Sequence, residues 1–367
     1  MRFPEFSGEW KKCIIQDYGE VITGNTPPTN NAEYYNNGSY LWASPADLGT
    51  GKKINDTKTK LSESGFKKTI IIPKGSILVT CIGSTIGKIG MAVETMSSNQ
   101  QINSIIVNEK SNNDFVYYAI SRAFPRYLSE VGVQAVPILS KSNFEKLPNY
   151  TTSIEEQDKT GYFLNLLDER IATQNKIIDK LQSLIKGISN KIFATIQGIE
   201  YRMGNIVTIS NGNSNVQDAV TESKDGLYPF FDRSEDIKYL PTFLFDKEAI
   251  IYPGEGAEFM PRYFRGKFAL HQRCYAIFDF KEIINAQFLY FYLKTQNSYF
   301  VRNAVGSTVP SLRLDTFQKL KVIIPPKKIQ HSVSLCLSSM EQKCNVEKDI
   351  LQKLLKQKQY LLRQMFI

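Results

Sequence analysis

The strongest constraint on the fold is an internal repeat, in which two segments of the sequence match at a constant offset of 173 residues (309 minus 136). Val136-Pro137-Ile138-Leu139 matches Val309-Pro310-Ser311-Leu312, and the register continues without a gap. The matched pairs further along the chain are Phe144/Phe317, Lys146/Lys319, Leu147/Leu320, Gln157/Gln330, Leu164/Leu337, Ile177/Ile350, Leu181/Leu354 and Phe193/Phe366. Such a repeat indicates that one structural unit occurs twice. Two unrelated helices with a shared leucine pattern explain less, because the Val-Pro-x-Leu match precedes the helices.

The first part of each repeat matches more weakly than the last part. Val21-Ile22-Thr23-Gly24-Asn25 resembles Ile209-Ser210-Asn211-Gly212-Asn213, and Asn99-Gln100 occupies a position comparable to that of His271-Gln272. The middle sections have diverged more than the ends. We therefore expect a shared scaffold that carries two different working surfaces.

Within each repeat, predicted strands come before predicted helices. Apolar runs interrupted by turn residues, at 70–79 and 249–254, are typical of strand–turn–strand segments, and the stretches 115–126 and 286–301 have an apolar helical face. The sequence predicts an α/β fold of the α+β type, with two similar globular domains of about 150 residues, each followed by a long helix. The predicted boundaries are 1–150 for the first domain, 151–198 for the first long helix, 199–325 for the second domain and 326–367 for the second long helix.

Both long helices carry an apolar stripe with steps of three and four residues, the a/d pattern of a coiled coil. Neither helix can bury this stripe alone, so we expect each to be the partner of the other. The predicted seam positions are Leu167, Ile171, Gln174, Ile178 and Leu181 in the first helix, extended by Leu164, Ile185, Ile188 and Ile192, and Met340, Cys344, Glu347, Leu351 and Leu354 in the second, extended by Leu337, Lys358, Leu361 and Met365. If a twofold axis relates the two copies, the helices run antiparallel and Gln174 lies beside Glu347, where polar residues can fix the register. Leu167 should then lie near Leu354.

The charge balance favours a polyanionic partner. Lys and Arg total 45 against 36 Asp and Glu, which gives a formal charge of +9 and a pI near 9.1, and a charge of this sign suits nucleic acid. The positive charge of the second long helix, by contrast, is typical of a solvated coiled-coil face. No apolar run approaches the ~18 residues of a membrane span, and the first residues lack the apolar stretch of a signal peptide. We therefore expect a cytoplasmic protein without a membrane partner.

Residues for catalysis or metal binding do not form a recognisable motif. The five cysteines are scattered and include no C-x-x-C pair, so neither a zinc site nor a disulfide framework is indicated. The two histidines, His271 and His331, have no companions for a nucleophilic triad. Gly83-Ser84-Thr85-Ile86-Gly87-Lys88 is one residue shorter than a phosphate-binding loop and lacks its final hydroxyl residue, so we interpret it as a turn between strands. We expect no catalytic residues and no metal.

Recognition chemistry is concentrated in polar loops that also contain aromatic residues. Arg and Lys suit phosphates and guanine edges, whereas Asn and Gln suit adenine edges. Any single one of these loops is more often a solvated surface than a base-reading segment. The candidate DNA-binding residues are Lys52, Lys53, Lys67, Lys68, Ser84, Thr85, Lys88, Asn99, Gln100, Gln101, Arg233, Arg262, Arg265, Lys267, His271, Gln272, Arg273, Ser307, Thr308 and Arg313.

The order of several short motifs resembles that of the specificity subunits of type I restriction–modification systems, over almost the whole chain. The motifs that carry the resemblance are Trp10, Gly24-Asn25-Thr26-Pro27, Leu41-Trp42, Pro73-Lys74-Gly75-Ser76-Ile77-Leu78, Gly83–Lys88, Asn99-Gln100-Gln101, Leu147-Pro148, Glu156-Gln157 and Leu167-Asp168. The second repeat departs from the pattern, with Phe230 in place of Trp42, Lys321 where Leu-Pro is expected, and Ile329-Gln330 in place of Glu-Gln.

This resemblance implies two target-recognition domains separated by two antiparallel helices. Each domain would bind one half of a bipartite double-stranded DNA target, while the helices would set the spacer and dock two methyltransferase (M) subunits. Restriction/translocase (R) subunits would complete the complex. S-adenosylmethionine, ATP and magnesium would be bound by those partners, whereas this chain would be a non-catalytic subunit that binds no cofactor.

Two other interpretations remain open. The chain could be a two-domain scaffold that binds proteins through its helices and does not bind DNA. It could also be an enzyme fragment without its catalytic domain, which fits less well because the repeat looks complete. Selection of DNA from a random pool, with the methyltransferase partner present, discriminates among the three.

Overall fold

The computed structural model describes residues 2–131 and 138–366, so Val136-Pro137 of the first matched motif lies outside the described residues. Short strands separated by loops make up most of the chain outside the long helices. The strands are β1 (Lys11–Ile14), β2 (Gly19–Thr23), β3 (Tyr40–Ala43), β4 (Lys53–Ile54), β5 (Thr59–Leu61), β6 (Ile77–Thr80), β7 (Ile89–Ala92), β8 (Ser97–Ser98), β9 (Ile102–Val107), β10 (Pro148–Thr151), β11 (Ile199–Arg202), β12 (Thr208–Asn211), β13 (Tyr228–Phe231), β14 (Lys238–Leu240), β15 (Phe245–Pro253), β16 (Arg262–Leu270), β17 (Cys274–Phe278) and β18 (Lys321–Ile324).

Two helices are far longer than the others. The helices are α1 (Glu63–Phe66), α2 (Asn113–Val131), α3 (Lys141–Glu145), α4 (Ile154–Thr195), α5 (Ala286–Lys294), α6 (Asn297–Asn303), α7 (Leu314–Lys319) and α8 (Lys327–Met365). Helix α4 has 42 residues and α8 has 39, so the prediction of two long helices is confirmed. None of the helices in the described residues combines the length and apolar character that a membrane span needs.

The chain divides into two compact units, and both long helices contribute to each of them. Unit one contains residues up to Asn175 together with those from Asp349 onward, and unit two contains Lys176–Lys348. Each unit therefore consists of one copy of the sheet-and-helix part plus one half of α4 and one half of α8. This mixed architecture in two similar copies agrees with the predicted fold class. The finer domain boundaries stay predictions.

Unit one is built on a five-stranded sheet in the order β2-β9-β6-β7-β4. A three-stranded sheet, β5-β3-β8, and a ribbon of β1 and β10 complete it. Strand β6 is buried at every position, which accounts for its continuous apolar sequence. Helix α2 supplies Phe115 and Tyr118 to the same core as Ile77 and Ile105 of the sheet.

Unit two is built on a six-stranded sheet in the order β12-β17-β15-β16-β13-β14, with a ribbon of β11 and β18. Its core is rich in aromatic side chains. The Phe317 ring lies between 4.8 and 5.3 Å, centroid to centroid, from the rings of Tyr252, Tyr275 and Phe300. Such ring pairs stabilise a core by about 0.5–1.5 kcal/mol beyond the burial of their area.

The two units repeat the same strand pairings. In the first ribbon Ile14 lies opposite Pro148, and in the second Arg202 lies opposite Lys321. The offsets are therefore 188 residues (202 minus 14) on one strand and 173 residues (321 minus 148) on the other. The run β2-β9-β6-β7 likewise corresponds to β12-β17-β15-β16. The predicted repeat is confirmed, and its early part matches at an offset of 188.

A buried glutamine has the same structural role in each unit. Gln157 accepts the N–H of Asn112 (3.0 Å) and donates to a backbone carbonyl just before its own helix (2.9 Å). Gln330 accepts the N–H of Asn285 (2.8 Å) and donates in the same way (2.8 Å). Leaving such a buried group unpaired costs about 1–3 kcal/mol. These bonds therefore tie the first turn of each long helix to the segment before α2 or α5.

Burial along the long helices follows the predicted stripe with one shift. The ten central seam positions are buried or half-buried: Leu167, Ile171, Gln174, Ile178, Leu181, Met340, Cys344, Glu347, Leu351 and Leu354. Beyond Ile185 the buried residue is Ser189, whereas the Ile188 side chain is 37% exposed. From Ile178 to Ser189 the stripe advances about 3.67 residues per turn, as in an eleven-residue repeat rather than a heptad. The prediction for Ile188 was therefore wrong.

Within unit one, the end of α8 runs antiparallel to α4. Trp10 donates to Glu156 near the start of α4 (3.2 Å), and its ring lies 5.6 Å from that of Phe366 at the end of α8. Lys358, earlier in α8, pairs with Asp168, further along α4 (2.5 Å). Residue numbers therefore rise in one helix as they fall in the other.

The predicted pairing of Leu167 with Leu354 stays a prediction. The ion pair joins Asp168 to Lys358, which lies about one helical turn further along α8 than Leu354. The long reach of a lysine side chain allows it to form this pair from a seam position. The predicted pairing of Gln174 with Glu347 involves residues of both units and stays a prediction. Each of these two side chains is buried.

The first strand predicted at 70–79 does not form. Ile70 and Ile71 are exposed, and Ile72 makes only an isolated bridge with Met96. The N–H of Ile70 is bonded to the Asn25 side chain (2.7 Å), and the following Pro73 has no N–H to donate to a strand partner. The loop Gly83–Lys88 does connect two antiparallel strands, β6 and β7, as predicted.

The helix predicted at 286–301 is two helices, α5 and α6. The break falls at Thr295-Gln296, where the Thr295 hydroxyl donates to the carbonyl of Tyr292 (2.7 Å). A threonine that bonds the backbone in this way competes with the helical bond. The same part of unit one is a single helix, α2.

Candidate nucleic-acid interface

In unit one, the loop after β8 lies beside the end of β3. The N–H of Asn99 donates to the carbonyl of Ala43 (2.9 Å), and the N–H of Gly24 donates to the carbonyl of Ile102 (3.2 Å). The N–H of Cys81 bonds the carbonyl of Gln101 (2.8 Å), which places the β6–β7 loop next to it. We define the first rim as Asn25, Thr26, Gly83–Lys88 and Asn99–Gln101.

Unit two holds its corresponding loop with the same backbone bonds. The N–H of His271 donates to the carbonyl of Phe231 (2.9 Å), and the N–H of Gly212 donates to the carbonyl of Cys274 (3.2 Å). We define the second rim as Asp232–Ser234, Glu255 and His271–Arg273. The sequence match of Asn99-Gln100 with His271-Gln272 therefore reflects equivalent positions.

A glycine in each unit permits this close approach of two backbone segments. A Cβ atom on Gly24 would lie 2.3 Å from the carbonyl oxygen of Ser98, and one on Gly212 would lie 2.0 Å from that of Leu270. Neither distance is compatible with van der Waals contact, so only glycine fits at these positions. The matched Gly24 and Gly212 of the sequence repeat thus have a structural cause.

Apart from Lys88, the polar side chains of the first rim are uncharged, and several of them hold one another by hydrogen bonds. The Asn99 side chain is buried, donates to Gln101 Oε1 (3.1 Å) and accepts from the N–H of Gln101 (3.0 Å). The Thr26 hydroxyl donates to Gln100 Oε1 (2.5 Å), and Asn25 donates to the carbonyl of Lys68 (2.9 Å). Gln100 is exposed, so its amide group is available to a ligand in a preset orientation.

The second rim has charged side chains at the equivalent positions. It surrounds a cleft of about 520 Å³. Arg273 Nη1 donates to both carboxylate oxygens of Glu255, at 2.8 and 3.0 Å. The Arg273 side chain is 62% exposed, whereas that of Glu255 is only 16% exposed. The carboxylate thus forms part of the wall, and the guanidinium group faces outward.

Asp232 and His271 are among the ionisable groups of this cleft that have shifted pKa values. Burial by itself raises the pKa of Asp232, but hydrogen bonds from Lys238 (2.6 Å) and Ser234 outweigh it and hold the pKa below its ordinary value. Burial lowers the pKa of His271, against the opposing effect of Asp232. The imidazole is therefore neutral at pH 7, with Nδ1 accepting the N–H of Arg273 (3.2 Å).

Most of the sequence-predicted DNA-binding residues are accessible. The exposed ones are Lys53, Lys67, Lys68, Ser84, Gln100, Arg233, Arg265, Lys267, Gln272, Arg273, Ser307, Thr308 and Arg313, and the half-buried ones are Thr85, Lys88, Gln101, Arg262 and His271. Nine of these eighteen lie in the two rims. Asn99 is buried but supports Gln101, as described above.

Lys52 does not fit the expectation of a DNA contact. Its side chain is 5% exposed and pairs with Asp114 (2.5 Å), and its ammonium group also donates to Asn165 (3.0 Å). The group lies 4.5 Å from the centroid of the Tyr118 ring. Burial lowers the pKa of Lys52, although Asp114 opposes this effect. The side chain is therefore used within unit one, where it joins the segment before β4 to α2 and α4.

The structure does not bring all the accessible candidates together. Lys67 pairs with Glu63 (2.6 Å) in α1, and the Lys267 ammonium group lies 4.8 Å from the centroid of the Phe243 ring. Arg262 donates to the carbonyl of Ser234 at the second rim. The segment with Ser307 and Thr308 also adjoins that rim, because the N–H of Gly256 bonds the carbonyl of Pro310 (3.0 Å).

Thr26, Asp232 and Glu255 are among the rim residues that sequence reasoning missed. Each acts through a partner, and an acidic residue is not an obvious candidate for an interface with a polyanion. The repeat itself carried a signal for Glu255. Ile82 bridges Ile138 just as Glu255 bridges Ser311. At the offset of 173, the charged Glu255 of the second repeat therefore aligns with the apolar Ile82 of the first.

The family relationship follows from a family model and from individual relatives. The model for the "Type I restriction modification DNA specificity domain" matches this chain twice, over residues 7–183 and 199–356. The chain belongs to this type I specificity family. The two matches correspond to the two copies of the internal repeat. Specificity subunits of type I restriction–modification systems are non-catalytic, and membership of the family supports a role in DNA sequence specificity.

Individual members of the type I specificity family are similar to this chain over different lengths. The MjaIX specificity subunit of Methanocaldococcus jannaschii is 25% identical over 394 residues, covering 94% of this chain and 89% of the relative. The HindI specificity subunit of Haemophilus influenzae is 32% identical over 186 residues, covering 48% and 40%. The relationship to the first of these therefore spans both units.

Solved structures of the type I specificity family share the fold. The S subunit from M. genitalium superimposes with a TM-score of 0.68 at 18% identity, covering 98% of this chain and 96% of that one. A chain from a structure that concerns assembly and conformational transition of the type I system gives a TM-score of 0.58 at 14% identity, with 96% coverage of both. Likeness at this level of identity establishes the architecture alone.

Proposed function

We propose that this chain is a sequence-specific DNA-binding subunit in which each unit recognises one half of a bipartite double-stranded target. The observation that supports this most is the pair of rims. They stand on equivalent backbones, held by equal bonds of 2.9 Å, yet they carry different side chains. A scaffold for protein contacts alone has no need for two polar edges of the types that match base edges.

The charge distribution of the chain supports DNA as the ligand. The formal charge is +9. Half-buried Lys88 of the first rim, exposed Arg233 of the second rim and exposed Lys53 of β4 supply cations. Cations of this kind position a protein on the phosphate backbone without reading sequence. The amides and the arginine of the rims would then supply base discrimination.

The long helices would set the spacer between the half-sites and dock two methyltransferase subunits. Exposed apolar side chains on α4 support a docking role. Tyr162 and Leu166 in unit one are 64% and 44% exposed, and Leu184 and Ile188 in unit two are 55% and 37% exposed. Restriction/translocase subunits would join the complete complex. S-adenosylmethionine, ATP and magnesium would act in those partner subunits, and this chain would carry no catalytic residue.

Selection from a pool of random double-stranded DNA tests this proposal. The full chain, copurified with its methyltransferase subunits, should enrich two short sequence blocks separated by a gap of constant length and no preferred bases. The methyltransferase subunits alone serve as the control and should enrich nothing. Absence of enrichment by the complex would support the scaffold interpretation instead.

The spacer role has its own test. Two turns inserted into each long helix, about seven residues or ~10 Å, should lengthen the selected gap by about three base pairs at ~3.4 Å each. Both half-sites should keep their sequence, because the rims are untouched. An insertion variant that folds and keeps the original gap would contradict the role of the helices.

A further inference from the structure

We infer that Arg273 contacts guanine in the half-site bound by unit two and that Glu255 is the residue that positions it. This inference rests on the proposed function and assigns chemistry to the second rim. The first rim, by the same comparison, contacts adenine through the Gln100 amide.

Arg273 presents an unused hydrogen-bonding edge. Both of its contacts with Glu255 are made by Nη1, and within the described residues its Nη2 and Nε atoms have no partner. The side chain is 62% exposed, so these donors face solvent. Two neighbouring donors in a fixed plane match the O6 and N7 acceptors of guanine in the major groove.

Glu255 restricts the guanidinium group to one orientation. A carboxylate held in the wall of the cleft and bound through both oxygens fixes the plane of its partner more firmly than a single bond would. The Glu255 backbone is itself fixed by a bridge to Ser311. An arginine held in advance loses less side-chain entropy when it binds a base, which favours both affinity and discrimination. Glu255 is therefore a positioning residue rather than a base contact.

Unit one lacks this pair at the equivalent place. Ile82 occupies the position of Glu255, since Ile82 bridges Ile138 as Glu255 bridges Ser311. Gln101 occupies the position of Arg273 and is held by Asn99. Within the matched loop Asn99–Gln101 the exposed group is the Gln100 amide, whose oxygen accepts from Thr26 (2.5 Å). Amide side chains pair with the N6 and N7 atoms of adenine.

The experiment compares base preferences selected by variants of the complete complex, formed by the full chain and its methyltransferase subunits. For Arg273→Gln, one guanine in one half-site should lose its preference by roughly 10- to 100-fold, the range of a bidentate contact. Glu255→Gln should weaken the same guanine by a smaller factor, and Glu255→Asp should restore part of it. Arg202→Gln, at an exposed arginine of strand β11 outside the second rim, is the matched control and should leave every base preference unchanged.

The outcomes separate this inference from the proposed function. If the wild-type complex enriches no sequence, the proposed function fails, and the inference with it. If the wild type enriches a bipartite site but Arg273→Gln weakens binding equally for all sequences, Arg273 contacts phosphate and the inference is overturned. Unchanged base preference in both Arg273→Gln and Glu255→Gln would overturn it as well. Arg273 is an exposed side chain, so its variant is expected to fold, and circular dichroism checks this.

Discussion

The loop after β8 in unit one carries amide side chains, whereas the matching loop after β16 in unit two carries a histidine and an arginine. Both loops are nevertheless held by an N–H that donates over 2.9 Å to the end of a neighbouring strand. Backbone atoms make these bonds, so the side chains can change without loss of the scaffold. In this chain the side chains of the surface can therefore differ while the fold stays the same.

The connections between strands differ in length as well as in chemistry. Residues 44–58, which include the short strand β4, lie between β3 and β5 in unit one, and residues 232–237 connect β13 to β14 in unit two. Unit one also has the longer connection to the next strand, 62–76 against 241–244. The strands on either side of these connections pair alike, β3 antiparallel to β5 and β13 antiparallel to β14. Divergence between the units is therefore concentrated in loops, where insertions cost little loop-closure entropy.

Phe144→Ala and Phe317→Ala test whether the two scaffolds are equally dependent on one core position. Both side chains are 0% exposed, so each substitution should lower the free energy of unfolding by about 3–5 kcal/mol. Phe317 also has three aromatic neighbours, so its loss should be larger by about 0.5–1.5 kcal/mol. Denaturant unfolding with hydrogen exchange resolved for each unit measures both. A cost below about 1 kcal/mol at either site would show that the two units do not depend equally on this core position.

Gln157→Leu and Gln330→Leu probe the paired glutamines. Each substitution leaves a backbone N–H, that of Asn112 or of Asn285, without its buried acceptor, which should cost about 1–3 kcal/mol. The two costs should agree within about 0.5 kcal/mol, because the bonds are alike in length and burial. The same unfolding experiment measures them. Strongly unequal costs would show that the two glutamines are equivalent in geometry alone.

Asp232→Asn examines a charge that unit one lacks, since Ser44 occupies the equivalent position at the offset of 188. The pKa of Asp232 is held below its ordinary value of 3.8, so its ionised form stabilises unit two above that pH. This stability is lost as the pH falls through the depressed pKa. The variant should therefore be less stable by about 1–2 kcal/mol at pH 7, with the difference vanishing in acid. A difference that does not shrink as the pH falls below 3.8 would exclude the charge as its cause.

Lys52 and Lys53 are neighbours in unit one, but only substitution of Lys53 is expected to weaken the salt dependence of DNA binding. Lys53 is exposed, so Lys53→Gln should reduce the slope of log K against log salt by about 0.9, the value for one phosphate contact. Lys52 is buried against Asp114, so Lys52→Gln should leave the slope unchanged. Binding of the complete complex to its selected site, measured at several salt concentrations, gives both slopes. A reduced slope for Lys52→Gln would restore it as a DNA contact.

The repeat in the sequence predicted much of the fold because core positions demand the same side chains in both copies. Phe144 and Phe317 match, and so do Gln157 and Gln330, since a buried ring or amide has few substitutes at a fixed site. The matched Gly24 and Gly212 follow from the close approach of two backbones. These features are local constraints, which sequence comparison within one chain can detect.

Other features depended on three-dimensional contacts that spacing does not encode. Lysine is usually a surface residue, and only the packing of Lys52 against Asp114 and Tyr118 shows that it is buried. The exposure of Ile188 was not predicted, because the buried stripe of its helix drifts away from a strict heptad. Glu255 was missed because its role depends on Arg273, which is distant in sequence and adjacent in space.

Exchange of residues 1–150 with the corresponding residues of a relative with a different target tests the central claim most directly. Each unit is proposed to recognise its own half-site, so the selected DNA should change in one half only, with the other half and the gap unchanged. The complex with methyltransferase subunits is used for the selection, and the parental chain provides the control. A chimera that folds and changes both half-sites, or neither, would contradict the account.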